Sequence, residues 1–172
     1  RLTFTVEPIG LRLTFPAYVY DFVEDVEARV LHHKIEGSGY PYRECVTRKG
    51  VDLLMYDKLF SHVISDDYEA AIMVALNRLR YPIELEDAAK EQYAQYLEQN
   101  ARVVLLKLIE QECDEEIRYL CEECLITKDA LEDGLYEAAD KKLSAITAIL
   151  MEYQRQHFAA HQQAVKMTLD DW

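Results

Sequence analysis

The sequence predicts a mainly α-helical protein, built of antiparallel helix pairs and opened by a short β-hairpin. Three observations carry this expectation. The first sixteen residues alternate apolar with polar, the period of a half-buried strand. From residue 52 to residue 157 apolar side chains recur at helical spacing, interrupted only by short polar links. Five Gly and four Pro in 172 residues leave little room for irregular chain.

In the hairpin, Leu2, Phe4 and Val6 answer Leu11, Leu13 and Phe15, with Pro8 to Gly10 as the turn. The tetrad Arg-Leu-Thr-Phe starts at Arg1 and again at Arg12, as matching strands would have it. Two strands are marginal alone in water, so they must pack on helices or complete a larger sheet. Between Ala17 and Lys34 the period reads as helical: Val19, Phe22, Val23, Val26, Val30 and Leu31 form a stripe opposite Asp21, Glu24, Asp25 and Glu27. Gly37, Gly39 and Pro41 then predict a loop over residues 36–50, the longest irregular stretch.

Helices are predicted over 52–63, 67–80, 86–99, 101–111, 114–123, 128–139 and 143–157. Ser65 or Asp66, Asp114 and Thr127 are the expected N-caps, and Tyr81-Pro82 ends the second helix. Three regions follow: 1–50, with the hairpin, a helix and the Gly/Pro/Tyr loop; 51–158, the helical repeat region; and the tail 159–172. Because the chain starts at Arg1 rather than Met, a preceding portion is expected.

The last four helices align as two pairs. Ile109 to Cys121 sets against Ala138 to Leu150 at an offset of 29, and a weaker copy is read at Val63 to Ile72. One pair cannot bury its apolar face alone, whereas stacked pairs bury a continuous core. The stretch Ala138-Ala-Asp-Lys-Lys-Leu-Ser-Ala-Ile-Thr-Ala-Ile-Leu resembles the helix–turn–helix of an ankyrin repeat, with Lys142 at the family's turn glycine and Asp129-Ala-Leu-Glu in place of its opening motif. The fold class this implies is an ankyrin-like α-helical repeat. More broadly, Gly37-Ser-Gly-Tyr-Pro-Tyr-Arg, Tyr56-Asp-Lys-Leu-Phe, Leu79-Arg-Tyr-Pro and Thr147-Ala-Ile-Leu-Met-Glu-Tyr resemble uncharacterised gut-bacterial proteins of Firmicutes type that end in degenerate ankyrin-like helices. The resemblance implies an architecture and no activity.

The net charge of −13 is unequally shared: residues 1–83 hold 10 basic and 12 acidic groups, residues 84–172 hold 9 and 20. Nucleic acid and an anionic membrane surface are therefore excluded as partners of the second half. No apolar run approaches the ~20 residues of a membrane span. Of four cysteines, three sit inside Glu-rich helical sequence, and all four read as reduced thiols of a cytoplasmic protein.

No catalytic, cofactor-binding or metal site is predicted. Cys113, Cys121 and Cys124 lack the fourth ligand a structural zinc requires. Neighbours on a helix point about 100° apart, so His32 and His33 cannot face one ion there and fit a helix C-terminus instead. The acids around Glu110 to Glu123 have no calcium-loop spacing and read as a solvated face. Gly37-Ser-Gly lacks the rest of a phosphate loop. The candidate contact site is the 36–50 loop, where Tyr40, Tyr42, Arg43, Arg48 and Lys49 are interface-favoured or cationic residues, the alternative being that its tyrosines pack on neighbouring helices. The expected function is a non-catalytic protein–protein interaction or scaffold module, its partner another protein or another domain of the parent chain. The alternative is a regulatory or accessory part of an enzyme whose catalytic portion lies elsewhere.

Overall fold

The computed structural model describes residues 2–6, 10–25 and 30–158, and over these the chain is mainly helical, with nine helices and three two-stranded antiparallel sheets. The foreseen turn at Pro8 and the 159–172 tail lie outside the described residues. The chain packs as two units, Arg1–Gln95 and Tyr96–Trp172, so the packing division falls far beyond residue 50.

In the first unit β1 (Leu2–Val6) and β2 (Leu11–Phe15) pair as the alternation predicts, Phe4 opposite Leu13 and Leu2 opposite Phe15. Leu11, Leu13 and Phe15 are buried, and β2 packs on α4 (Tyr68–Arg80). Asp67 caps α4, its carboxylate accepting from the Ala70 N–H at 3.0 Å, one or two residues beyond the expected caps. Every residue of α4 from Ala70 to Leu79 is buried, so this helix is enclosed on all sides rather than laid on a surface.

The expected helix over 17–34 does not form. The segment is a second hairpin, β3 (Val19–Asp25) with β4 (Val30–Glu36), in which Tyr20 faces Ile35 and Asp21 faces Lys34. Valines and aromatics lose rotamer freedom against a helical turn and pack well on a pleat, and here that preference overrides the 3.6-residue stripe. His32 and His33 therefore lie in strand β4 and not at a helix end.

The 36–50 loop is also more ordered than its breakers suggested. It contains α1 (Gly39–Glu44) and a small hairpin of β5 (Val46–Thr47) and β6 (Gly50–Val51). Pro41 falls in the first turn of α1, where a missing N–H costs nothing. The expected 52–63 helix is two shorter ones, α2 (Leu53–Lys58), capped by Asp52 onto the Met55 N–H at 2.9 Å, and α3 (Phe60–Asp66).

The core of this unit is polar at its centre. The Arg78 guanidinium, fully buried on α4, donates from Nε to Asp57 Oδ1 at 2.7 Å and from Nη2 to Oδ2 at 2.9 Å, and Nη1 reaches the Ile83 carbonyl at 3.2 Å. The Tyr93 hydroxyl donates to Asp57 Oδ1 at 2.8 Å. Beside this group, Asn77 Nδ2 donates to Thr14 Oγ1 at 2.8 Å, and the Tyr56 hydroxyl donates to the Thr14 carbonyl while accepting from its N–H. Burial opposes the Arg78 charge, but the hydrogen bond and charge of Asp57 outweigh it and hold the pKa above the ordinary guanidinium value.

Helix α5 (Asp87–Gln99) carries the chain into the second unit, which contains α6 (Ala101–Glu110), α7 (Asp114–Glu122), α8 (Lys128–Asp140) and α9 (Ser144–His157). Helices α6 and α7 form one pair, α8 and α9 the next, with α6 against α8 and α7 against α9. Leu105, Leu108, Ile109, Ile117, Leu120 and Leu150 fill the interior, each burial stabilising by about 1.5–3 kcal/mol. Gly134 lets α8 approach α6 closely, since a Cβ there would lie 2.6 Å from Leu105 Cδ2. Thr127 caps α8 as foreseen, but the N-cap of α7 is Cys113, one residue before the expected Asp114, and makes no side-chain cap hydrogen bond.

Three helices of this unit end alike. After α6 the Cys113 N–H reaches the Leu108 carbonyl and the Glu112 N–H that of Ile109; after α8 Leu143 and Lys142 do the same with Ala138 and Ala139. After α7, Leu125 and Cys124 repeat the arrangement on Leu120 and Cys121. Each is a paired-carbonyl helix stop with a left-handed residue at its centre: Glu112, Cys124 and Lys142, at φ 54, 56 and 58°. The α6–α7 and α8–α9 stops recur at 30 residues, one more than the sequence alignment gave. The weaker copy at Val63 to Ile72 has another geometry, because Asp67 joins α3 to α4 at φ −143°.

Candidate functional site

Two glycines position the most aromatic surface of the first unit. A Cβ on Gly39 would collide with the Pro16 carbonyl and lie 2.9 Å from the Ala17 carbonyl carbon; one on Gly37 would lie 2.7 Å from Ala17 O. The Gly39 N–H donates to that oxygen at 3.2 Å. With backbone laid on backbone in this way, the start of α1 sits against the chain that enters β3.

Tyr40 on α1 is thereby brought onto Tyr18 and Tyr20, its ring edge-on to Tyr18 at 5.7 Å and stacked on Tyr20 at 6.2 Å. Tyr18, Tyr20 and the Ile35 opposite Tyr20 on β4 are each 37–43% exposed, so the cluster is an apolar surface carrying hydroxyls at its rim.

Of the predicted contact residues, Tyr40 and Arg43 are three apart on α1 and share a face, with Arg43 exposed. Tyr42 is corrected. Two positions along a helix turn the side chain through about 200°, and Tyr42 is fully buried, edge-on to Tyr56 at 4.8 Å. Burial, first, and the nearby Cys45 and Asp57 push its phenol far above the usual value. Arg48 and Lys49 form the tip of the β5–β6 hairpin and are exposed; Thr47 accepts from the Lys49 N–H at 3.2 Å and donates to the Gly50 carbonyl at 2.9 Å. Tyr18, Tyr20 and Ile35 were missed because their segment read as helix. The signal that could have found them is the Tyr-Val-Tyr run beside β-branched residues.

The Asp57–Arg78–Tyr93 group is not a reaction site. Both Asp57 oxygens are engaged, and burial, with Asp57 beside it, keeps the Tyr93 phenol protonated far above its usual range. Cys45 is likewise held as a thiol, burial and Asp52 pushing it up to about 11.

In the second unit a groove of about 490 Å³ runs between α7 and α9, floored by Ala145, Ala148 and Ile149 and flanked by Cys121, Arg118 and Glu152. Burial and Glu122 raise the Cys121 thiol to about 11. Hydrogen bonds from Arg155 and Gln156 lower the Glu152 carboxyl to about 2. Among the described residues no group of three or more His, Cys, Asp or Glu is placed to hold a metal ion, and no helix is long and apolar enough to cross a membrane. Comparison with protein-family models, with curated proteins and with solved structures finds no match to the chain.

Proposed function

We propose that the chain is a non-catalytic protein–protein interaction or scaffold module, with Tyr18, Tyr20, Tyr40 and Arg43 as its contact surface. The observation that carries the reading is the exposed aromatic cluster. Tyrosine and arginine concentrate binding energy at interfaces, and rings ordered by mutual packing lose little entropy on docking. Arg48 and Lys49 add positive charge that suits an acidic rim on the partner protein or domain.

The ankyrin-like reading of residues 101–158 is part of this proposal. It is supported by the pairing of α6 with α7 and α8 with α9, and by left-handed Lys142 where that family has glycine. A place among gut-bacterial proteins of this architecture rests on the resemblance alone. A cytoplasmic location is supported by four cysteines that lie outside any disulfide.

The test is capture of partners from a lysate of the source cells by the intact chain, by a Tyr20→Ala/Tyr40→Ala/Arg43→Ala variant, and by a Met151→Ala control on α9. A partner retained by wild type and control and reduced at least about tenfold by the triple variant supports the surface. Equal retention by all three, or no retention by any, overturns it.

A further inference from the structure

We infer that Cys121 and Cys124 form a dithiol that closes to a disulfide by exchange with a low-molecular-weight disulfide. The two residues bracket the stop of α7, where the Cys124 N–H donates to the Cys121 carbonyl at 3.2 Å. That bond closes the last turn of α7, where residues three apart have Cα atoms about 5 Å apart. A disulfide needs about 4.4–6.8 Å. Cys113 cannot compete, because eight residues of helix at about 1.5 Å each put it some 12 Å from Cys121 along the axis. Cys45 is fully buried in the other unit, its thiol directed at the Pro41 carbonyl at 3.7 Å.

The two thiols differ in access, and the difference orders the chemistry. Cys124 is exposed, at a left-handed position that projects from the helix end; Cys121 is half-buried on the wall of the α7–α9 groove. The Cys124 thiolate attacks one sulfur of the small disulfide RSSR, forming a mixed disulfide and expelling RS⁻. The Cys121 thiolate then attacks the Cys124 sulfur, closing the protein disulfide and expelling the second RS⁻. Two protein protons end on the two RSH released, and RSSR is the oxidant reduced. Burial of Cys121 makes the second step the slower one.

The test is incubation of the full chain with oxidised glutathione, alkylation of remaining thiols, tryptic digestion and mass spectrometry. Cleavage after Arg118 and Lys128 places both cysteines in one peptide, residues 119–128, and Cys113 in another. The expected product is that peptide two hydrogens lighter and unalkylated, with thiols of the denatured chain falling from four to two. A glutathione adduct on Cys124 precedes it and becomes the end product in Cys121→Ser. A stable adduct in the wild-type chain, a linkage through Cys113, a link between chains, or no change in any thiol would each overturn the inference. The wild-type result decides without requiring that any variant fold.

Discussion

The two units solve the problem of a small core in opposite ways. In the first, a buried guanidinium, a carboxylate, an amide, a threonine and two tyrosines lie at the centre, joined by bonds that span from 21 to 63 residues of sequence. In the second, the interior is leucine, isoleucine, valine and alanine around one buried hydroxyl, Tyr153, which donates to the Ile126 carbonyl at 3.2 Å, and the same helix stop is used three times. A polar centre accepts one arrangement, since each donor must meet its acceptor. An apolar centre tolerates substitutions of similar volume, which is how a helix-pair unit can be reused along a chain.

The sharpest way to break this contrast is to unpair the buried ion pair. Asp57→Ala leaves Arg78 charged and enclosed, and it is expected to destabilise the protein by about 3–5 kcal/mol in urea unfolding. Replacing both residues with leucine and methionine should recover much of that loss, since charge desolvation disappears with the pair. A small effect of Asp57→Ala would mean that water reaches Arg78.

Alkaline pH is expected to weigh more on the first unit, which holds three raised tyrosines against Tyr153 in the second. Tyr42, Tyr56 and Tyr93 have phenol pKa values raised in the folded chain, chiefly by burial. Their contribution is whole below the unfolded value near pH 10 and is lost as pH climbs from there towards the folded values. The predicted slope is about 1.4 kcal/mol per pH unit for each tyrosine, visible as a urea midpoint that falls steeply above pH 10, after a shallower fall from about pH 9 as Cys45 and Cys121, held as thiols up to about 11, begin to count. Phenolate absorbance that accounts for all twelve tyrosines before the fold is lost would contradict the burial of these hydroxyls.

The smallest effect probes the repeated helix stop. Lys142 occupies a left-handed position at φ 58° that a side chain resists and glycine does not. Lys142→Gly should stabilise the second unit by about 0.5–1 kcal/mol, the relief of strain exceeding glycine's extra freedom when unfolded. A destabilisation would show that the lysine stem packs on something worth more than that strain.

The hairpin and the helices from α4 to α9 were legible in the sequence because their periods of 2 and 3.6 agree with the burial they achieve. The hairpin over 19–36 was not. Val19, Phe22, Val23, Val26 and Val30 fit a helical stripe, and only the pairing of β3 with β4 decides against it. The loop over 36–50 misled for a related reason. Gly39 reads as a breaker, yet it is required by the Pro16 backbone beneath it, and Pro41 sits where helices accept proline. Of the candidate surface, Tyr40 and Arg43 could be named from composition; Tyr18 and Tyr20 needed the fold to reach them. Asp57–Arg78 carried one faint signal, an arginine beside an asparagine in a helix that is apolar from Ala70 to Leu76.

Hydrogen exchange on Asp57→Ala tests the contrast most directly. The account predicts that amides of α2, α3 and α4 lose protection together, while those of α6 to α9 keep wild-type rates. Equal loss in α6 to α9, or protection retained in α4, would contradict the claim that the first unit alone is held by its polar centre.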